Sequence, residues 1–256
     1  MTAPRTRYLW TALSAAILIA AWVGVTSGGL VSDLFLPGPG EVWSGFLELV
    51  QDGYKGRSLG EHIWDSLFRV LVGFMTGACA GTLLGLAMGR WRRLDAICAP
   101  FIEFLRPLPQ LAYLVLLIVW FGIGETSKIM LLFLAALPVS AVAARDGVRN
   151  VPEARLRVAR ALGASEWQVF RHVILPSALA EIITGARLAI GIVYATLIAA
   201  EIIAGSTGIG WMILDAGRFL RSDYVFVGII IIGLMGLALN ALLVTLERRL
   251  VHWAGR

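Results

Sequence analysis

The chain has 256 residues, of which 58% are hydrophobic and 15% are charged. Soluble globular domains are about 45–50% apolar and about 25% charged, and the mean hydropathy here is +0.80. The composition therefore excludes an ordinary soluble domain and indicates a membrane protein. The net charge of +5 does not indicate a nucleic-acid-binding arm, because the arginines fall between apolar runs. The two cysteines and three histidines lack the spacing of metal ligands, so we predict no metal site.

Six apolar runs are long enough to cross a bilayer, whose core takes about 20 mainly apolar residues per helix. The first run follows Arg5 and Arg7, as the apolar part of a signal peptide would, but it is long for one and no convincing small-residue cleavage site follows it. We therefore expect a retained span and a single transmembrane domain over residues 1–256. In chain order, the predicted spans are 9–28, 67–88, 105–122, 129–147, 182–203 and 224–246.

The basic residues predict the orientation of these spans. With the N-terminus inside, most of the 22 lysines and arginines lie in inside segments, from Arg5 near the N-terminus to Arg256 at the C-terminus. Because cytoplasmic segments carry an excess of lysine and arginine, both termini are predicted to be cytoplasmic. An even number of spans agrees with this arrangement.

Two of the predicted outside segments have distinctive sequences. In residues 29–66, the stretch LPGPG precedes EVWSGFLELV, whose helical spacing and interleaved acidic residues predict an interfacial helix. Residues 204–223 contain AGSTGIGWMILDAG, in which the glycines and the adjacent Ser206 and Thr207 suit a re-entrant turn or a gate loop. Non-helical backbone at membrane depth is tolerated only when protein covers it or when it lines a cavity. An ordinary outside turn is the alternative.

Within the longest inside segment, about residues 148–181, the sequence of residues 150–176 predicts two short amphipathic helices. Asn150 is the expected N-cap of the first, and Gly163 is expected to end it in a left-handed conformation. Ser165 opens a predicted capping box for the second helix, which Pro176 is expected to end or kink. Neither helix is long enough to be stable alone, so their apolar residues must pack on the membrane surface or on a partner protein. The expected apolar residues are Ala154, Val158, Ala161, Leu162, Trp167, Phe170 and Ile174.

The stretch ARALGASEWQVFRHVILP, residues 159–176, resembles the signature loop of binding-protein-dependent ABC importer permeases. The family pattern is Glu-Ala-Ala, three residues, Gly, nine residues, a branched apolar residue, one residue and Leu-Pro. In this chain, Arg157 stands where the family usually has Glu, and Val158 where it usually has Ala. The residues that fit the pattern are Ala159, Gly163, Val173, Leu175 and Pro176.

The similarity extends along nearly the whole chain. The stretches QDGYKG (51–56) and RSDYVFVGIIIIG (221–233) look most like taurine permeases. The resemblance implies the type I importer fold, with six transmembrane helices and a cytoplasmic helix–Gly–helix coupling loop. The stretches that look like the nitrate, sulfonate and taurine branch are LPGPGEVW (36–43), RPLPQLAYLVLLIVWFGIGETSK (106–128), LPSALAEIITGARLAIG (175–191) and AAEIIAGSTGIGWMILDAG (199–217).

The resemblance implies a transport subunit of a bacterial inner membrane, without enzymatic activity or a cofactor of its own. Neither Lys55 nor Lys128 ends a GxxxxGK[ST] phosphate loop, so ATP and magnesium are implied on a separate ATPase. The implied partners are a second copy of the chain, two ATP-binding subunits at the cytoplasmic face, a substrate-binding protein at the outer face, and lipid; nucleic acid is not among them. The implied cargo is a small sulfonate such as taurine. The residues implied in ATPase coupling are Ala159, Gly163, Ala164, Ser165, Trp167, Phe170, Val173, Leu175 and Pro176.

Charged residues in or near the predicted spans are the remaining candidates, because charge is costly near lipid. Arg187 could attract an anionic group or hold a helix junction, and Glu201 could line the pathway or reach the surface. Glu103 and Arg106 are three residues apart and predict a structural pair. No nucleophile–base pair is present, so we predict no catalytic residue. The candidate pathway or gate residues are Arg106, Arg187, Glu201, Ser206 and Thr207.

An ion-coupled secondary transporter of a small anion is the main alternative, with Glu201 or Arg187 carrying the coupled ion. Such transporters often have internal repeats, and no clear repeat is visible here; the two cytoplasmic helices would also be unexplained. A membrane enzyme is a second alternative, but it would need a polar constellation at one membrane face, and histidine and cysteine are too few.

Overall fold

The structure is a computed structural model that describes residues 4–29 and 31–250. Arg256, one of the predicted cytoplasmic basic residues, lies outside these ranges. The described residues form helices and contain no strand, which confirms the all-α membrane fold. The helices are α1 (Pro4–Ser27), α2 (Pro39–Gln51), α3 (Leu59–Arg90), α4 (Arg92–Leu105), α5 (Leu114–Phe121), α6 (Glu125–Arg149), α7 (Glu153–Ala161), α8 (Glu166–Val169), α9 (Leu175–Ala204), α10 (Ile209–Arg218) and α11 (Ser222–Leu250).

Four helices are long and apolar enough to cross a membrane, and four of the predicted spans lie within them. Helix α1 covers nearly all of the first predicted span, but its apolar part, Ala12–Ser27, is shorter than the others. The predicted interfacial helix is α2, and it begins at Pro39, where a missing backbone N–H costs little. The four long helices are Leu59–Arg90, Glu125–Arg149, Glu166–Ala204 and Ser222–Glu247.

The predicted third span, residues 105–122, is wrong as a continuous helix. Helix α4 ends at Leu105, and the segment that follows the break is bent by 98° relative to it. Pro107 and Pro109 explain the break, because proline has no backbone N–H to donate and disfavours helix in the residue before it. A 3-10 turn, Gln110–Tyr113, then leads into α5. The two pieces form a broken membrane segment, which is a less regular structure than the apolar run predicts.

Helices α3 and α6 approach closely because α3 carries glycine at every fourth position. A Cβ atom built on Gly77 would lie 2.5 Å from the Phe133 carbonyl oxygen, and one built on Gly81 would lie 2.3 Å from that of Leu137. Small residues with this spacing form a groove into which a second helix fits in a membrane. The glycines of this groove are Gly73, Gly77, Gly81, Gly85 and Gly89.

Helix α9 packs on both α6 and α3, and the three helices share one buried apolar cluster. Gly185 of α9 faces Ala143 of α6, where a Cβ on the glycine would lie 2.1 Å from the alanine Cβ. We call the end of the bundle that holds residues 150–176 the Gly163 end, and the opposite end the Glu201 end. At the Glu201 end, α10 packs with α2 and α11 in an apolar cluster that includes Met212.

Pro176 does not end the second short helix, so that part of the prediction is wrong. The chain continues as one apolar helix over Glu166–Ala204. A π turn, Phe170–Ile174, lies directly before Pro176. Proline has no backbone N–H to donate to the carbonyl four residues back. The π turn, with its wider hydrogen-bonding pattern, accommodates this missing hydrogen bond without ending the helix. The inside segment therefore leads into a membrane helix without interruption.

Candidate functional site

Residues 150–176 form a compact two-helix segment at the Gly163 end. The first helix, α7, begins at Glu153 after Pro152, so the predicted N-cap at Asn150 is wrong. Asn150 instead ends α6, and its Nδ2 donates to Glu181 Oε1 on α9 at 3.0 Å. The segment is thus tied to α9 at its first residue.

Gly163 ends α7 in the left-handed conformation that the sequence predicts, with φ of +84°. Its N–H donates to the Arg160 carbonyl at 2.9 Å, and the Ala164 N–H donates to the Ala159 carbonyl at 3.1 Å. These two bonds form a Schellman motif, which satisfies the last carbonyls of a helix. The turn between α7 and α8 is therefore fixed by local hydrogen bonds.

The second helix begins with the predicted capping box. Ser165 N–H donates to Gln168 Oε1 at 2.8 Å, and Gln168 N–H donates to Ser165 Oγ at 3.3 Å. Glu166 then accepts hydrogen bonds from Arg160 and from Arg90 of α3, each at 2.8 Å. Sequence reasoning missed this role of Glu166, because Arg90 is far away in the chain.

The apolar residues of the segment divide into a packed group and an exposed group. Ala164 and Val173 pack on a buried cluster that includes Val169 and Ile174. Leu175 and Pro176 are half-buried where the helix enters the bundle. The other face, predicted to be apolar, is exposed: the exposed fractions are 61% for Val158, 83% for Leu162 and 65% for Trp167.

Trp167 stacks on Phe170 with ring centroids 5.8 Å apart. Phe170 is half-buried, whereas Trp167 projects from the segment. The pair forms one wall of an apolar groove of about 510 Å³, whose other wall is the end of α3, including Leu83 and Leu86. We call the exposed Val158, Leu162 and Trp167 the apolar patch.

The Glu201 end has the opposite character, with charged groups inside. The exposed fractions of the side chains are 1% for Arg69 and 0% for Glu201, and Arg69 Nη1 donates to Glu201 Oε1 at 2.5 Å. Ser66 Oγ donates to the same carboxylate at 2.8 Å. Arg69 also binds Glu125 of α6, and Lys128 Nζ donates to that carboxylate at 2.9 Å. The network joins α3, α6 and α9, so each charge has a partner, as burial requires.

The loop after α9 is held by this network. Arg69 donates to the Thr207 carbonyl at 3.0 Å and to Thr207 Oγ1 at 2.7 Å. Gly210 N–H donates to Glu201 Oε2 at 2.8 Å. Gly208, with φ of +106°, lies against the carboxylate, since a Cβ there would be 2.3 Å from Glu201 Oε1. Thr207 is thus bound inside, while Ser206 is exposed.

Glu201 in this conformation neither lines an open cavity nor reaches the surface. Sequence reasoning missed the residues around it, namely Ser66, His62 and Glu125. His62 Nδ1 accepts the Gly208 N–H at 3.2 Å. The sequence feature that could have indicated this network is the presence of two opposite charges, Arg69 and Glu201, in separate apolar spans.

The two remaining candidate arginines have different surroundings. Arg187 Nη1 donates to Glu247 Oε2 of α11 at 2.8 Å, so it holds a helix pair here. The predicted Glu103–Arg106 pair is wrong, because Glu103 lies 3.5 Å from Arg145 of α6. Arg106 has no ion pair within residues 4–29 and 31–250 and lines a cavity at the break between α4 and α5.

Among the described residues, no group of three histidine, cysteine or carboxylate side chains is placed to hold a metal ion. What the geometry offers is an exposed apolar patch at one end of the bundle, a buried charge network at the other, and a polar cavity between them.

Residues 77–252 match the protein family described as "Binding-protein-dependent transport system inner membrane component". The chain therefore belongs to this family of transport permeases. It is 42% identical to the taurine transport system permease protein TauC of Escherichia coli strain K12, over 94% of this chain and 88% of that protein. It is 37% identical to the putative aliphatic sulfonates transport permease protein SsuC of Bacillus subtilis strain 168, over 97% and 90%.

The fold also resembles solved transporters. One is the MetNI methionine ABC transporter in an inward-facing conformation, with a TM-score of 0.57 and 21% identity over 77% of this chain and 96% of that chain. Another is an amino acid ABC transporter, with a TM-score of 0.58 and 20% identity over 75% and 92%. The chain is a permease component of an ABC importer, and its relatives belong to the taurine and sulfonate branch.

Proposed function

We propose that two copies of this chain form the alternating-access pathway of an ATP-driven importer, and that residues 150–176 couple this pathway to a separate ATPase. The observation that carries the proposal is the apolar patch. Val158, Leu162 and Trp167 are exposed on a segment whose backbone is fixed by the Gly163 turn and by Glu166. A rigid surface with protruding apolar side chains is suited to insertion into a groove of another protein.

The proposal also assigns a membrane side and partners to each end of the bundle. The Gly163 end faces the cytoplasm, and the N-terminus and the C-terminal end of α11 lie on the same side, in a bacterial inner membrane. Two ATPase subunits dock there and use ATP and magnesium. The Glu201 end faces outward and receives a substrate-binding protein. The chain performs no hydrolysis, and ATP acts by favouring one of two packings of the helices.

The cargo that we propose is a small sulfonate such as taurine. The support is the similarity over almost the whole chain to permeases whose names give taurine and aliphatic sulfonates as the transported compounds. Uptake of taurine, of short alkanesulfonates and of nitrate by the assembled transporter in proteoliposomes tests this assignment. Uptake of nitrate alone would exclude it.

The coupling role is tested by Trp167→Ala in the assembled transporter. We expect ATP-driven uptake to fall by about tenfold or more, because an aromatic anchor at an interface contributes about 2 kcal/mol or more of binding. The readouts are uptake, ATPase activity and retention of the ATPase subunits during purification. Leu162→Asp should have the same effect, since it places a charge on the patch.

The matched control is Trp10→Ala, because Trp10 on α1 has a similar exposed fraction of 70%. We expect this variant to assemble and transport as the unmodified chain does. The coupling role is wrong if Trp167→Ala and Leu162→Asp both retain normal uptake. Uptake that an ion gradient drives without ATP would instead support a secondary transporter.

A further inference from the structure

A cavity of about 300 Å³ lies beside the break in the membrane segment α4–α5. Its polar lining comes from Arg106 at the end of α4 and from Gln110 and Tyr113 of the 3-10 turn. Its apolar walls come from α6 and α9. The apolar lining residues that these two helices supply are Leu134, Ala135, Pro138, Val139, Leu188 and Ile192.

The cavity lies at the middle of the bundle's depth. Pro138 is close to the midpoint of α6, Glu125–Arg149, and Leu188 is close to the midpoint of α9, Leu175–Ala204. At 1.5 Å per residue, each end of α6 is about 16–20 Å from Pro138. The part of the cavity lined by Pro138 and Leu188 therefore lies near mid-depth, and the exposed Arg106 side chain lines the same cavity from the end of α4.

The three polar side chains of the cavity are all without a protein partner. Within residues 4–29 and 31–250, no hydrogen bond or ion pair joins the Arg106 guanidinium, the Gln110 amide or the Tyr113 hydroxyl to another group. The cavity lining contains no carboxylate. Arg187, next to the lining residue Leu188, differs, since it is bound by Glu247.

An unpaired arginine at this depth is costly unless it serves a water-filled path or a ligand. Non-helical backbone at membrane depth is likewise tolerated only where protein covers it or where it lines a water-filled cavity. Transporters that use discontinuous helices place their substrate sites at such breaks. The guanidinium, the amide and the hydroxyl all offer hydrogen-bond donors, and a guanidinium binds a group with several equivalent oxygens through two parallel bonds.

We propose that Arg106, Gln110 and Tyr113 form a transient site for the sulfonate group of the substrate inside the membrane. The inference deepens the proposed function and rests on it. The absence of a carboxylate from the lining favours an anion over a cation. The leucine and isoleucine side chains of the walls contact the short carbon chain of the substrate. The site then contributes to selectivity after the binding protein has released its cargo.

The test uses the assembled transporter with its ATPase and binding protein in proteoliposomes, and radiolabelled taurine. Arg106→Gln is expected to lower taurine uptake by about tenfold to a hundredfold, since a hydrogen-bonded charge is lost. Arg106→Lys is expected to retain part of the uptake, because it keeps the charge but loses the two parallel bonds. Tyr113→Phe should have a smaller effect of the same sign.

A second readout separates this role from a structural one. The ATPase activity stimulated by the loaded binding protein should persist in Arg106→Gln. In the unmodified inward-open complex, ethanesulfonate supplied from the vesicle lumen should compete with taurine for the site. In Arg106→Gln this competition should be lost. Normal taurine uptake by Arg106→Gln, or loss of stimulated ATPase activity together with assembly, would overturn the site. A failure of the proposed function is distinguishable, because the unmodified complex would then fail to take up any sulfonate.

Discussion

The loop at the Gly163 end and the loop at the Glu201 end each turn through a left-handed glycine, yet they place their side chains in opposite ways. At the Gly163 end, Leu162 is 83% exposed and the charged pairs of Glu166 lie on the surface. At the Glu201 end, Glu201 is fully buried and holds the loop by accepting the Gly210 N–H. One loop leaves apolar surface to be covered by another molecule, while the other satisfies its polar groups within the chain.

The difference explains which loop the isolated chain can stabilise. A buried ion pair is costly to break, because the remaining charge is left without water. Exposed ion pairs contribute little to stability, because water and salt screen them. The Glu201 loop is therefore an integral part of the fold. The Gly163 loop has its backbone fixed by local hydrogen bonds but leaves apolar side chains exposed.

The largest expected effect comes from Glu201→Gln. The substitution keeps the size of the side chain but removes the charge of the buried carboxylate that pairs with Arg69, so the free energy of unfolding should fall by about 3 kcal/mol. Thermal unfolding of the chain in detergent measures the change. Arg187→Gln is the control: its pair with Glu247 is only partly buried, and its loss should cost about 1 kcal/mol or less. Equal losses in the two variants would contradict the burial argument.

A smaller effect is expected at the two glycines, which share a left-handed backbone but differ in surroundings. Gly163→Ala should cost about 1 kcal/mol from backbone strain alone, because nothing lies within 4 Å of the new Cβ. Gly208→Ala should cost about 2–3 kcal/mol, since its Cβ also meets the Glu201 carboxylate. The comparison of the two unfolding midpoints checks the contrast. A midpoint for Gly208→Ala that equals that of Gly163→Ala would mean that the loop is not held as described.

The smallest effect on stability is expected from Glu166→Gln. This change removes the charge that pairs with Arg90 and Arg160, but all three side chains are substantially exposed. The unfolding midpoint of the isolated chain should stay close to that of the unmodified chain. The segment should nevertheless become more mobile, which hydrogen exchange of the Ser165 and Gln168 amides would detect. A stability loss larger than that of Gly163→Ala would contradict the comparison.

Features set by local spacing could be predicted from the sequence. The Gly163 turn and the Ser165 capping box depend on residues within about five positions of each other, so their hydrogen bonds follow from the pattern itself. The long apolar helices follow from composition and length. The family of the chain was likewise predictable from the Gly163 segment, because its motif spans a single continuous stretch.

Features that depend on distant partners could not be predicted in the same way. Arg69 and Glu201 are 132 residues apart, and nothing in their positions along the chain indicates that the two side chains meet. The continuation of the helix through Pro176 depends on a π turn, which packing selects and no residue pattern marks. The apolar composition of residues 105–122 predicts a continuous span, although Pro107 and Pro109 break the helix there.

The uninterrupted helix Glu166–Ala204 has a mechanical consequence. At 1.5 Å per residue its 39 residues extend about 58 Å, and a single rod of that length has Trp167 near one tip and Glu201 near the other. A tilt imposed at the first tip would therefore be transmitted along the helix axis towards the buried carboxylate, with no loop in between. The π turn Phe170–Ile174 interrupts the regular α-helical hydrogen bonding near that tip, so the bending stiffness of the helix there would limit how much of the tilt reaches Glu201.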